Sequence, residues 1–174
     1  MKYFYHLLVM ISLFQSFELM AESEKNTLKI AILYDDEFLL HNTGLNHPEN
    51  PNRITHAINF LKKDYPFKSN LTWPSFGYSP IDVINLVHSK EYIRLVKEES
   101  EKLTESSALL STGDTVISKQ SYQVARKSVG AVTEGVDQIM KGKALSGFVF
   151  SRPPGHHATN DRGMGFCIFN NVAI

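Results

Sequence analysis

Cysteine is nearly absent from this sequence: Cys167 stands alone among 174 residues. An internal disulfide is therefore excluded, as is a zinc site built on four cysteines. Cys167 itself is either a buried small hydrophobe or part of a site. Charge imbalance is lacking too. Eighteen Lys and Arg offset eighteen Asp and Glu, which argues against a nucleic-acid-binding surface spread over the whole chain. A local basic patch stays open. No internal repeat and no low-complexity linker interrupts the chain. With 43% hydrophobic and 21% charged residues, the composition is that of one globular domain, neither disordered nor membrane-spanning.

The N-terminus differs from the rest. Lys2 gives a short positive region, Leu7 to Phe14 an apolar run, and Leu19-Met20-Ala21 a plausible cleavage site. Residues 1–21 read as a secretory signal peptide. The run is too short for a secure transmembrane span, and no cysteine at the cleavage site offers a lipid anchor. The alternative is a buried first helix. The polar residues Glu22 to Asn26 and the strand pattern that follows favour the signal peptide, a domain over 22–174 and export. Without that signal the protein would be cytoplasmic.

From there the pattern alternates. Leu28 to Leu33 is a short apolar run of strand type, followed by the polar loop HNTGLNHPENPN at 41–52. Asn52 is placed to cap a helix reaching Lys63. Leu71 to Trp73 suggests a second strand. Ser79-Pro80 is expected to open a helix burying Ile81, Ile84 and Val87, and Ser89 another burying Tyr92, Leu95 and Val96, with the KEESEK run at 97–102 solvated. Ser118 is expected to cap the longest helix, ending at Gly142, with Tyr122, Ala125, Val129, Val132, Val136 and Ile139 as its buried stripe. Leu145 to Phe150 reads as a strand, and a last helix is expected from Phe166. This is an α/β pattern, in which sites lie outside the carboxyl ends of parallel strands.

SRPPGHHATNDRGMGFCIFNN, residues 151–171, sits in that place. Pro153 and Pro154 fix φ and remove two backbone donors, and Gly155 is free to take angles other residues avoid. His156 and His157 follow at once. Adjacent residues of an extended segment point apart, so this pair is a poor metal clamp. Histidine titrates near neutrality, so two imidazoles lining one pocket can divide proton transfer and charge stabilisation. The plain alternative is an ordinary Pro-Gly turn with two exposed histidines.

The run S-R-P-P-G-H-H-A with G-F-C-I-F-N-N-V-A resembles the histone deacetylase and acetylpolyamine amidohydrolase superfamily, class II type. H-P-E-N-P-N-R-I at 47–54, V-H-S-K-E-Y-I at 87–93 and G-D-T-V-I-S-K-Q-S-Y at 113–122 agree with it in order, over residues 28–174. The resemblance implies a three-layer α/β parallel-sheet arginase/deacetylase-like fold, of which this chain is the N-terminal half. It implies a zinc-dependent amidohydrolase acting on acetyl-lysine or a small acetylated amine such as a polyamine. His157 would be the base that activates a zinc-bound water and then the acid for the leaving amine; His156 would supply electrostatic stabilisation. Gly165 and Phe166 would line the acyl channel, with Cys167 beneath it, kept buried by a surrounding helix. Arg53 would stand near the cavity associated with acetate release, Asp114 would grip the substrate, and His47 would stand at the rim. His41, His56 and His88 read as loop or packing residues.

The resemblance also implies a zinc site of two aspartates and a histidine, the first two in a D-x-H motif after the next strand. None of them is in this sequence, and Asp161 is no substitute. The expectation is a fragment, inactive as 174 residues. The rival is a non-catalytic remnant or exported binding protein. A metal-free hydrolase using Ser or Cys167 lacks any nucleophile-elbow signal. Export is testable: residues 1–25 fused to a periplasmic reporter should carry it out of the cytoplasm, and retention would favour the buried-helix alternative.

Overall fold

The structure is a computed structural model describing residues 29–174; the signal-peptide segment lies outside the described residues. Strand β1 (Ile30–Leu33) is buried from Ala31 onward. Its β-branched residues favour the pleated backbone and both of its faces are covered. β1 is the middle of a three-stranded parallel sheet, between β2 (Leu71–Thr72) and β5 (Ser146–Val149). Ile32 is registered with Phe148 and Leu33 with Val149. A short antiparallel pair, β3 (Ala108–Leu109) with β4 (Val116–Ile117), lies apart from that sheet.

The helices are α1 (Asn52–Lys63), α2 (Ile81–Ile84), α3 (Lys90–Lys102) and α4 (Ser121–Met140). Two apolar clusters hold them. In one, Leu33, Phe38, Ile54, Val124 and Ala131 join β1 to α1 and α4. In the other, Tyr92, Val96, Ile117, Tyr122, Val129 and Phe169 join α3, β4 and α4 to the C-terminal segment.

Ser89 caps α3 as expected, accepting the Tyr92 N–H at 3.2 Å, and KEESEK is solvated except for Ser100, which is buried. Other expectations fail locally. Pro51 is already in helical conformation, so Asn52 is the first helical residue; it is Asn50 whose side chain takes the Asn52 N–H. Ser79 does not cap α2. Its hydroxyl donates to the Pro80 carbonyl at 3.3 Å, and α2 is a single turn with only Ile84 buried. Ser118 does not cap α4 either: its hydroxyl takes the Asn42 N–H at 3.1 Å. The α4 stripe is buried at Tyr122, Ala125 and Val129 and exposed at Val136 and Ile139, where no described element covers it. β5 shares that exposure, as an edge strand with Phe148 60% exposed. No helix follows Phe166: residues 163–174 run as bends and turns.

α4 is also pinned from outside the core. Lys127, nearly buried, reaches Asp35 and Glu37 at 2.6 Å each. Burial alone would depress its ammonium, but the two carboxylates outweigh this and raise it above its ordinary value. At Gly130 the loop before α2 comes so near that an added Cβ would lie 2.0 Å from the Gly77 carbonyl oxygen. Helix propensity alone gives Gly130→Ala a gain of about 1 kcal/mol. The clash with backbone should reverse the sign and cost roughly 1–3 kcal/mol, read by urea unfolding of the full chain.

Candidate active site

The chain leaving β5 keeps one more ladder bond, Phe150 N–H to Leu33 O at 2.9 Å, and then turns. Arg152–Pro153 is cis. Gly155 serves by size and not by angle: a Cβ there would fall 2.2 Å from the Phe169 carbonyl and 2.6 Å from the Asn171 nitrogen. α4 grips the same turn through Ser128, whose hydroxyl lies 2.9 Å from Ser151 Oγ and 3.3 Å from Pro153 O and accepts from the Asn171 amide at 2.9 Å.

This turn overrides the expectation that His156 and His157 diverge. Their ring centroids are 4.2 Å apart, because residues 155–158 close into a turn, with Ala158 N–H on Gly155 O at 3.0 Å. Both rings are solvent-exposed and line one cavity of ≈ 350 Å³, together with Glu49, Arg53, Gly165 and Phe166. The structure thus brings together four of the sequence-derived catalytic and channel residues, plus Arg53, whose guanidinium sits 3.2 Å from Glu49 Oε1. A larger groove of ≈ 490 Å³ runs along α3. Two of its carboxylates are engaged, Glu98 with Arg94 and Lys102 and Glu99 with Ser111, and it holds no histidine.

One wall of the site is conformationally unusual. Gly165 (φ 57°) and Phe166 (φ 69°) are both left-handed, a region costly for a phenylalanine and found where surrounding structure fixes it. Three contacts do so here. Asp114 Oδ1 accepts the Gly165 N–H at 2.8 Å. Phe166 packs edge-on against His47, centroids 4.6 Å apart. Gly165 lies on the His157 ring, where a Cβ would meet Cδ2 at 2.8 Å. Asp114 is therefore bonded to the wall and exposed; it does not line the cavity. Cys167 is fully buried behind the turn, its sulfur accepting the His157 N–H at 3.4 Å. Burial raises its thiol, which suits packing better than nucleophilic attack. A turn, and not a helix, buries it.

Sequence reasoning missed Glu49 and Arg152. The Arg152 guanidinium, 0% exposed, donates to Glu49 Oε1 at 2.7 Å, Glu49 Oε2 at 2.8 Å and Glu49 O at 3.0 Å, and to Phe38 O at 3.1 Å. The signal was a glutamate between two prolines and an arginine before two more, but nothing local links positions 103 residues apart. His41 is packed beside this pair. Its Nδ1 lies 2.7 Å from Ser121 Oγ, and its Nε2, 3.7 Å from Glu49 Oε2, has no hydrogen-bond partner. The 3.7 Å contact is no ion pair, because burial first, then the charges of Arg152 and His47, lower His41 to about 3. His88 is buried against Tyr92 and Phe169, its Nε2 accepting the Asn170 N–H at 2.8 Å. His56 is exposed on α1. Among the described residues no three His, Cys, Asp or Glu side chains group as a metal site. The described residues therefore do not by themselves fit zinc. Also among them, no helix is long and apolar enough to cross a membrane.

A parallel sheet ending in a paired-histidine turn accords with what comparison with known proteins shows. The histone deacetylase domain family matches residues 47–174, and the chain belongs to that family. It is 43% identical over 148 residues to an uncharacterized protein of Synechocystis, covering 83% of this chain and 47% of that protein. It is 30% identical to a probable deacetylase of Archaeoglobus fulgidus (82% and 39% covered) and 32% identical to histone deacetylase 5 of Arabidopsis thaliana (84% and 23%). The crystal structure of the HDA15 HD domain matches with a TM-score of 0.74 at 28% identity, covering 84% of this chain and 42% of that one. The chain spans about half the length of the first relative and less of the others.

The buried His41 makes stability pH-dependent. Unfolded, the ring titrates near 6.5; folded, near 3. Above pH 6.5 both states are neutral and nothing is lost. As pH falls from 6.5 toward 3 the unfolded chain gains the proton first, so folding weakens by about 1.4 kcal/mol per pH unit. His88, also lowered by burial, adds slope of the same sign. Thermal melts between pH 7 and 5 should show this decline, and His41→Asn should flatten it in part.

Proposed function

We propose that this chain carries the acid–base half of an amide hydrolase that removes acetyl groups from acetyl-lysine or small acetylated amines. The observation that carries it is the pair of imidazoles 4.2 Å apart in one cavity with Arg53, Gly165 and Phe166. In this reading His157 takes a proton from the water that attacks the acetyl carbonyl. The C–N bond then breaks, the same proton passes to the amine nitrogen, and acetate and free amine leave. His156 holds charge near the developing oxyanion. Gly165 and Phe166 flank the acyl arm, and Arg53 faces the cavity in which acetate is released. Asp114 acts through the wall it fixes, or on a substrate amine by its second oxygen.

Amide hydrolysis at neutral pH needs a polarised carbonyl and an acidified water, which zinc supplies in enzymes of this chemistry. The described residues do not provide its ligands. We propose that they belong to polypeptide following the segment seen here, in keeping with the greater length of the relatives. Export, if the N-terminal signal operates, favours polyamine-like amines over histones as substrates.

The coding DNA past Ile174 should encode an in-frame Asp-x-His. The 174-residue chain should release no acetate from an acetyl-lysine fluorogenic peptide or from N-acetylputrescine, with or without zinc. In the longer polypeptide, His157→Ala should lower kcat by about 10²–10⁴ with KM changed little. A stop codon with no such motif downstream, or turnover that survives His157→Ala, would overturn the reading.

A further inference from the structure

Glu49 is joined to both walls of the histidine site. Its carboxylate and carbonyl take three of the four Arg152 bonds, and Glu49 is itself only 2% exposed. Arg152 stands four residues before His156, and Pro153, Pro154 and the tightly packed Gly155 make that connection stiff. The Glu49 N–H donates to His47 Nδ1 at 3.0 Å, and His47 packs on Phe166. Its carbonyl also accepts the Thr43 hydroxyl at 2.6 Å. One residue thus ties the loop before α1 to the histidine turn on one side and to the left-handed Phe166 wall on the other.

Stability alone does not account for such a pair. Withdrawing two charges from water costs several kcal/mol per ion before their attraction returns it, and apolar residues of similar volume often serve equally well. What an apolar pair cannot reproduce is direction. A bidentate guanidinium–carboxylate contact fixes both planes and their separation, and here two carbonyls take further guanidinium N–H groups. A displacement of Arg152 passes through a rigid turn to both imidazoles.

We infer that Glu49 and Arg152 are positioning residues that hold His156, His157 and, through His47, Phe166 in register across the cavity. The inference rests on the proposed function for its purpose, and its test does not use activity.

The test is NMR of the histidine rings in the full 174-residue chain, comparing wild type with Glu49→Gln, Arg152→Lys and the double variant Glu49→Leu/Arg152→Met. His56 and His88 serve as internal references. In the folded variants we expect the His156–His157 ring-to-ring cross-peak to be lost and the His47, His156 and His157 resonances to move, with His56 and His88 unchanged. The double variant should keep a thermal midpoint close to wild type and still lose the cross-peak, separating aim from stability. Wild-type histidine signals in folded Arg152→Lys or in the folded double variant would overturn the inference. So would failure of all three to fold, which would make the pair structural only. Absence of deacetylation by the chain leaves each of these readings unaffected.

Discussion

A guanidinium with no exposed surface must find protein partners for its N–H groups, because each buried donor left unpaired is costly. Arg152 finds them in Glu49 and in the Phe38 carbonyl, and much of the molecule is arranged around that need. Phe38 sits in the turn just after β1, Glu49 in the loop before α1, and Arg152 just after β5. Three segments that share only the sheet's C-terminal end are brought to one point. The cavity lies beside that point, with Glu49 in its wall. The site is built where the strands end because the carboxyl ends are where successive loops converge.

Around this anchor the protein uses close approach repeatedly. Gly155 against Phe169 and Asn171, Gly165 against His157, and Gly130 against Gly77 each leave no room for a β-carbon. Hydrogen bonds then fix what packing brings near: Asp114 to Gly165, Ser128 to the Pro153 turn, Cys167 to the His157 amide. The two exposed imidazoles are thus held from behind by buried groups, as a site needs if its side chains are to keep their aim without losing contact with solvent.

The far side of the sheet has a different character. β5 is an edge strand, Phe148 is open to solvent, and Val136 and Ile139 of α4 are exposed beside the buried half of their own helix. Apolar periodicity predicted a stripe buried along its whole length, and among the described residues only its first half is buried. Periodicity reports which face is apolar; coverage depends on which elements pack there.

Several features were legible in the sequence: the buried β1, the Ser89 cap, the long α4, the strand before the histidine turn, and the family, whose motifs were readable as four ordered stretches. Local rules failed where a distant partner competed. The Ser118 hydroxyl takes the Asn42 N–H in place of one from its own helix, and the segment after Phe166 is held by Pro154, His88 and Thr115 and forms no helix. Residue types and their order therefore determined the class of fold and which side chains are able to move protons. Tertiary structure alone decided that His156 and His157 face one cavity, that Asp114 holds a wall, and that Glu49 and Arg152 pair across 103 residues. The reason is that direction and long-range pairing are set by the packing of whole elements, which spacing along a chain does not encode.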